Sequence, residues 1–191
     1  MNICVYGASS NLIDDVYIKA CEELGRELAR RGHTLIFGGG ANGVMGAVAR
    51  GVNELGGKII GIAPSFFSVD GVLFEECDEM IRPETMRERK RILEDMSDAF
   101  ITAPGGIGTY DEFFEILTLK QLGRHKKAIA IFDVDGYYDR LINLLEDAIE
   151  KKFLREACKK LYEGFVDINT MLDYIEGYEQ KDFNILEMKN I

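Results

Sequence analysis

Three groups of residues in this chain could do chemistry together: a glycine-rich stretch, one arginine and one glutamate. Pro104-Gly105-Gly106-Ile107-Gly108-Thr109 stands between a strand-forming run, Ala99–Ala103, and a helix-period segment, Thr109–Leu122. Glycines in that position let the backbone come close to an anion, and the amides of the first helical turn are unpaired donors. Thr109 adds a hydroxyl at the same place. The chemistry this predicts is binding of an anion, a phosphate first of all. A tight turn with no ligand is the plainer reading of the same residues.

The arginine and the glutamate stand out because of the faces they occupy. At about 100° per residue, Met86, Ile92, Leu93 and Met96 share one arc of a helix, and Arg89 falls in its middle. Lys90 sits at the edge of that arc. A guanidinium on a buried face is costly unless it meets an anion or an acceptor. The alternatives are a side chain that reaches out to water, or one that pairs with a structural acid. Over Thr109–Leu122 the same projection sets Glu112 between Ile116 and Leu119, while Asp111 turns toward Glu115 and Thr118. Glu112 could also be a plain helix-start acid favoured by the dipole. Burial would raise its pKa and a nearby guanidinium would lower it. A phosphate cradle with one inward arginine and one inward glutamate suits hydrolysis of a phosphorylated sugar. Cleavage of an N-glycosidic bond passes through an oxocarbenium-like state, which a carboxylate stabilises while it holds ribose hydroxyls or activates water. Such a site needs no metal and no organic cofactor.

A second glycine cluster, Gly38-Gly39-Gly40-Ala41-Asn42-Gly43, contains G-x-G-x-x-G. A dinucleotide site would want it after the first strand, with an acid ending the next one. Here it follows the second strand, and the next ends Gly61-Ile62-Ala63-Pro64, so a nicotinamide or flavin site is disfavoured. No Gly-Lys-Ser/Thr of a Walker loop occurs. Close packing of a helix on a sheet is the simplest use of these glycines.

The elements that must hold these residues alternate along the chain. Strands are expected at Ile3–Tyr6, Thr34–Phe37, Lys58–Ala63, Met80–Arg82, Ala99–Ala103 and Ala128–Phe132. Helices are expected over Asp14–Arg31, Val44–Leu55, from Pro83 to Met96, Thr109–Leu122, Tyr138–Lys152 and Ile168–Tyr178. A loop spans Pro64–Glu76, and a polar tail begins at Glu179. This alternation predicts a single doubly wound, Rossmann-like α/β domain over residues 1–191, with a mostly parallel sheet covered on both faces. Ligands in such folds bind beyond the carboxyl ends of the strands. The loops there are Gly7-Ala8-Ser9-Ser10, Gly38–Gly46, Ala63-Pro64-Ser65 and Pro104–Thr109, so the polar and glycine-rich stretches gather on one rim. The helix Thr109–Leu122 is apolar almost all round, with Phe113, Phe114, Ile116, Leu117, Leu119 and Leu122. It is expected to pack on the sheet and also against a second subunit.

Composition narrows the function classes. The chain has 191 residues, of which 47% are apolar and 29% charged, as in an ordinary globular protein. Its net charge of −10, from 33 acids and 23 bases, disfavours a nucleic-acid polymer as partner. A small anion remains compatible, because a few local cations can outweigh a distant negative surface. With only 2 histidines, His33 and His125, a histidine triad or a multi-histidine metal site is a poor expectation. The 4 cysteines, Cys4, Cys21, Cys77 and Cys158, have neither zinc nor redox spacing and read as buried thiols of a reducing compartment. No run approaches the roughly 18 apolar residues of a membrane span, and the opening Met-Asn-Ile-Cys-Val-Tyr-Gly goes straight into a strand. The cytoplasm is the expected location.

These residues carry a resemblance. Pro104 to Glu112 matches P-G-G-x-G-T-x-x-E, the signature of the LOG (Lonely Guy) family of cytokinin riboside 5′-monophosphate phosphoribohydrolases, long labelled lysine decarboxylases. Met86-Arg87-Glu88-Arg89-Lys90 resembles that family's M-x-x-R-K element. Phe37 to Gly46 is similar to its Y-G-G-G-x-x-G-L-M-G segment, with Phe37 in place of tyrosine. The likeness runs from about Asn2 to Lys152.

The resemblance implies release of a free base and ribose 5-phosphate from a nucleoside 5′-monophosphate, AMP or an N6-modified form, by a homodimer or larger homo-oligomer. Arg89 and Glu112 would be catalytic. Arg89, Lys90, Gly105, Gly106, Ile107, Gly108, Thr109 and Glu112 would contact the nucleotide, with Ser9, Gly39 and Gly43 from the other loops. Departures from the family pattern fall at Tyr6-Gly7-Ala8-Ser9-Ser10, at Ile107 and at Asp111, which leaves plain AMP as open as a prenylated base. The alternative is a non-catalytic nucleotide or molybdenum-cofactor carrier on the same scaffold. A pyridoxal-phosphate decarboxylase fits least well, because Lys90, the only lysine inside the motifs, is placed for phosphate rather than for a Schiff base.

Overall fold

A computed structural model describes residues 1–67, 71–180 and 188. The apolar runs form β1 (Asn2–Tyr6), β2 (Thr34–Phe37), β3 (Ile59–Ile62), β4 (Glu79–Ile81), β5 (Ala99–Thr102), β6 (Ala128–Phe132) and β7 (Glu163–Phe165). Between and after them stand α1 (Asp15–Arg30), α2 (Gly43–Glu54), α3 (Met86–Met96), α4 (Ile107–Gln121), α5 (Asp139–Glu150) and α6 (Ile168–Glu176). One seven-stranded sheet has the order β4-β3-β2-β1-β5-β6-β7, and every pairing in it is parallel. This is the doubly wound α/β architecture.

Alternation along the strands sorts the core into two layers. In β1, Ile3 and Val5 join the layer covered by α1, α2 and α6. Cys4 and Tyr6 join the one covered by α3, α4 and α5. Both faces are therefore dry, which is why the central strands read as continuous apolar runs rather than as alternating ones.

The strand order reverses between β1 and β5, which are adjacent in space and far apart in sequence. Their outgoing loops meet at this switch, where the Ala8 amide donates to the Pro104 carbonyl at 3.0 Å. Crevices at such points are where ligands bind in open α/β sheets.

Three differences from the expected elements have physical reasons. The strand β7 is missed because Glu163-Gly164-Phe165 is short and largely exposed at the sheet edge, with no apolar run. The helix α4 starts at Ile107 rather than Thr109, so the glycine stretch is itself the helix entry, with an extended Gly106 just ahead of it. The strand β4 covers Glu79–Ile81, one residue earlier than the apolar pattern suggests. From the expected loop, 68–70 lie outside the described residues, as do 181–187 and 189–191 of the expected tail. Among the described residues no helix is long and apolar enough to cross a membrane.

Candidate active site

A cavity of about 600 Å³ opens at the switch. That volume is in the range of small-molecule sites. Its walls come from the loops after β1, β2 and β5 and from the first turns of α3 and α4.

The start of α3 is fixed by its own sequence. Thr85 accepts from the Glu88 amide at 3.1 Å, and Glu88 reaches back to the Glu84 amide at 3.0 Å. These bonds satisfy one free amide of the first turn and one just ahead of the cap, and they fix the entry of the helix whose inward face carries Arg89. Arg89 is 8% exposed and Glu112 9%. The Arg89 Nε donates to the Ile62 carbonyl at the end of β3 at 3.0 Å, and Nη1 lies 2.6 Å from Oε1 of Glu112. The guanidinium is thereby clamped between the sheet and α4. A Cβ added at Gly38 would collide with Arg89 Nη2, so the arginine occupies space that only a glycine leaves open.

Burial pushes the Glu112 carboxyl above its usual range, and the Arg89 charge pulls in the opposite direction without cancelling it. Behind the pair, the Cys4 thiol is pushed up to about 12, first by burial and then by the Glu112 charge. Tyr6 is raised well above its ordinary value for the same leading reason. Glu112 is thus backed by groups that keep their protons at neutral pH.

The structure brings Ser9, Arg89, Gly106, Ile107, Gly108, Thr109 and Glu112 around this one cavity. Four other residues expected at the site stand apart from its lining. Lys90, expected at a phosphate, instead places its ammonium 3.0 Å from Asp111 and 2.6 Å from Glu115, both on α4. Burial lowers its pKa and these two carboxylates raise it, with a net rise. Gly39 makes the turn after β2 at φ +75°, and its carbonyl accepts from Phe74 at 2.9 Å. Gly43, at φ +59°, gives its amide to Asn11 Oδ1 at 3.0 Å. Gly105 lies against the Thr109 side chain, where a Cβ would clash.

The sequence reading missed the apolar wall made by Met45, Phe67, Val72, Leu73 and Met86. The segment that carries Val72 and Leu73 is stitched to the β2 loop, with the Ala41 amide donating to Val72 at 2.9 Å and a bridge between Gly40 and Leu73. The available signal was the pair Phe66-Phe67, aromatic residues in a loop that are 60% and 42% exposed.

The lining contains no lysine among the described residues, so pyridoxal phosphate would find no amine here for a Schiff base. Among the described residues, no three His, Cys, Asp or Glu side chains gather as metal ligands.

A family model described as possible lysine decarboxylase matches residues 45–175. Cytokinin riboside 5′-monophosphate phosphoribohydrolase LOG2 of Arabidopsis thaliana is 32% identical over 179 residues, covering 94% of this chain and 84% of its own. The probable cytokinin riboside 5′-monophosphate phosphoribohydrolase LOG6 of the same plant is 39% identical over 177 residues, covering 93% and 88%. Among solved structures, the molybdenum cofactor carrier protein of Chlamydomonas reinhardtii superposes with a TM-score of 0.69 at 20% identity, covering 92% of this chain and 95% of that one. At that identity the likeness concerns the fold. The inward arginine, the inward glutamate and the glycine helix entry thus stand in a chain that belongs to the possible lysine decarboxylase family, alongside the LOG proteins.

Proposed function

We propose that this protein hydrolyses the N-glycosidic bond of a nucleoside 5′-monophosphate, AMP or an N6-modified AMP, and releases the free base and ribose 5-phosphate. The observation that carries this reading is the buried Arg89–Glu112 pair, one turn beyond a glycine-rich helix entry in a single cavity. The names of the relatives at 32% and 39% identity support the same chemistry.

In this reading the 5′-phosphate lies against Gly106–Thr109, where free amides and the helix dipole favour an anion. The sugar then lies over Glu112 and the base extends toward Phe67 and Leu73. Glu112 is held by Arg89 through Oε1. Its carboxylate stabilises positive charge developing on the ribose and orients the attacking water. Arg89 favours the ionised form of that carboxylate against the effect of burial and holds it in place. Lys90 ties α3 to α4 through Asp111 and Glu115.

The protein acts as a cytoplasmic homodimer or larger homo-oligomer of single-domain chains. The outward face of α4 supports the self-association, because Phe114 is 37% exposed and an apolar recess of about 110 Å³ lies between α4 and α5. The carrier alternative rests on likeness of fold alone and does not account for a carboxylate buried beside the anion-binding turn.

The test is incubation with AMP and isopentenyl-AMP, followed by chromatography for free base and ribose 5-phosphate. Release from either one is the expected result. No release from these or from other nucleoside monophosphates, with a ligand retained through purification, would favour the carrier.

A further inference from the structure

The loop Ala103-Pro104-Gly105 presents three successive carbonyls, and each is taken by a donor from outside the loop. The Tyr138 hydroxyl donates to Ala103 at 2.8 Å, the Ala8 amide to Pro104 at 3.0 Å, and the Tyr137 hydroxyl to Gly105 at 2.7 Å. The two tyrosines follow β6 on a tight turn, with Asp135 at φ 54° and Gly136 at φ 69°. Asp133 anchors that turn by accepting from the Tyr138 amide at 2.7 Å. Ring packing fixes Tyr137 further, with Tyr17 edge-on at 5.6 Å and Tyr138 at 4.9 Å between centroids. Neither tyrosine lines the cavity.

A trans peptide is planar, so the N–H of one residue points opposite to the carbonyl of the residue before it. Holding the Gly105 carbonyl against Tyr137 therefore aims the Gly106 N–H the other way. Gly106 lines the cavity and stands just ahead of α4. Without the phenol, Gly105-Gly106 has the freedom to rotate this peptide, because neither residue has a side chain to resist it.

We propose that Tyr137 is a positioning residue for the phosphate end of the ligand: its hydroxyl orients the Gly106 amide from behind the loop. Tyr138 holds the Ala103 carbonyl, two residues earlier, from a fully buried site and so fixes the path of the loop. This rests on the nucleotide reading for its substrate, but the clamp itself concerns any phosphate-bearing ligand.

The experiment uses Tyr137→Phe, which keeps the ring contacts and removes only the hydroxyl. Binding of inorganic phosphate, ribose 5-phosphate and adenosine is measured beside AMP turnover and the thermal midpoint. Affinity for both phosphate compounds should fall about tenfold, the scale of one misaligned hydrogen bond to a charged group. KM for AMP should rise by the same factor with little change in kcat. Adenosine binding and the thermal midpoint should stay near wild type. Unchanged phosphate affinity would overturn the proposal, and so would an equal loss for adenosine, which would mean general loosening. A wild type that binds phosphate but cleaves no nucleotide sinks the hydrolase reading while leaving the clamp to be judged by the variant. A wild type that binds no phosphate compound overturns both.

Discussion

Arg89 Nη1 lies 2.6 Å from Glu112 Oε1, although the two residues come from different helices on one face of the sheet and both are almost fully buried. Neither charge is tolerable there alone. The contact forms because α3 and α4 each carry one polar residue on an otherwise apolar arc, and the two arcs face each other above the ends of β1 and β3. The same geometry lets a ligand in the cavity reach both groups.

Glu112→Gln keeps the size of the side chain and removes its charge. Turnover of a nucleoside monophosphate should fall by about two to four orders of magnitude, the usual contribution of a positioned acid–base group. Binding of the nucleotide should persist, because its phosphate and base contact other walls. Single-turnover kinetics and equilibrium titration separate the two quantities. Retention of wild-type kcat would remove Glu112 from the chemistry.

The pair also makes a stability prediction. Arg89→Met leaves a buried carboxylate without its cation, and loss of one partner of a buried pair costs about 3–5 kcal/mol. The double variant Arg89→Met/Glu112→Leu removes both charges and should recover much of that loss, because no unpaired ion remains. Urea denaturation of the single and double variants measures this. A double variant less stable than Arg89→Met would show that the pair is not the source of the cost.

His125 predicts acid sensitivity. Burial, reinforced by the nearby Lys120 and Lys127 charges and only partly offset by its bond to Ile116, lowers its pKa from 6.5 to about 4. Its Nε2 lies 2.8 Å from the Ile116 carbonyl, and its Nδ1 accepts from the Lys127 amide at 3.3 Å, so the neutral ring fits. The unfolded chain binds this proton more readily than the folded one. Its contribution to stability is therefore present above pH 6.5 and is lost as pH falls toward 4, by about 3 kcal/mol in all. His125→Gln should flatten the slope of stability against pH in that window. The same slope in the variant would assign the acid sensitivity to other groups.

Much of this was legible in the sequence, for reasons visible in particular residues. The central strands were clear because burial on both faces makes them unbroken apolar runs. Arg89 and Glu112 were clear because a charge inside an apolar arc violates the helical pattern. The edge strand β7 was not, since an exposed Glu163-Gly164-Phe165 carries no period. The partners of Lys90 were also hidden: helical projection places it at the edge of the arc but does not say that Asp111 and Glu115 of another helix stand within reach of its ammonium. The apolar wall at Phe67 and Leu73 comes from a loop without periodicity and is set by pairing to the β2 loop.

Gly38 shows how a site can depend on an atom that is missing. Its neighbours in space are Arg89 Nη2 and Met45 Sδ, and a Cβ would overlap the guanidinium. Because Arg89 is also held by Ile62 and Glu112, it cannot retreat without breaking one of those bonds. Gly38→Ala should displace the arginine by a fraction of an ångström to an ångström and pull Glu112 with it. Misplacement on that scale costs about 100-fold in rate, so kcat/KM should fall by that order while the fold persists. The matched control is Gly32→Ala, at a position where a Cβ meets nothing within 4 Å and the strain comes only from φ +71°. That variant should lose some stability and keep its turnover. Circular dichroism and steady-state kinetics on the two variants decide the matter: if Gly38→Ala retains full activity, Arg89 does not need to lie where the glycine admits it.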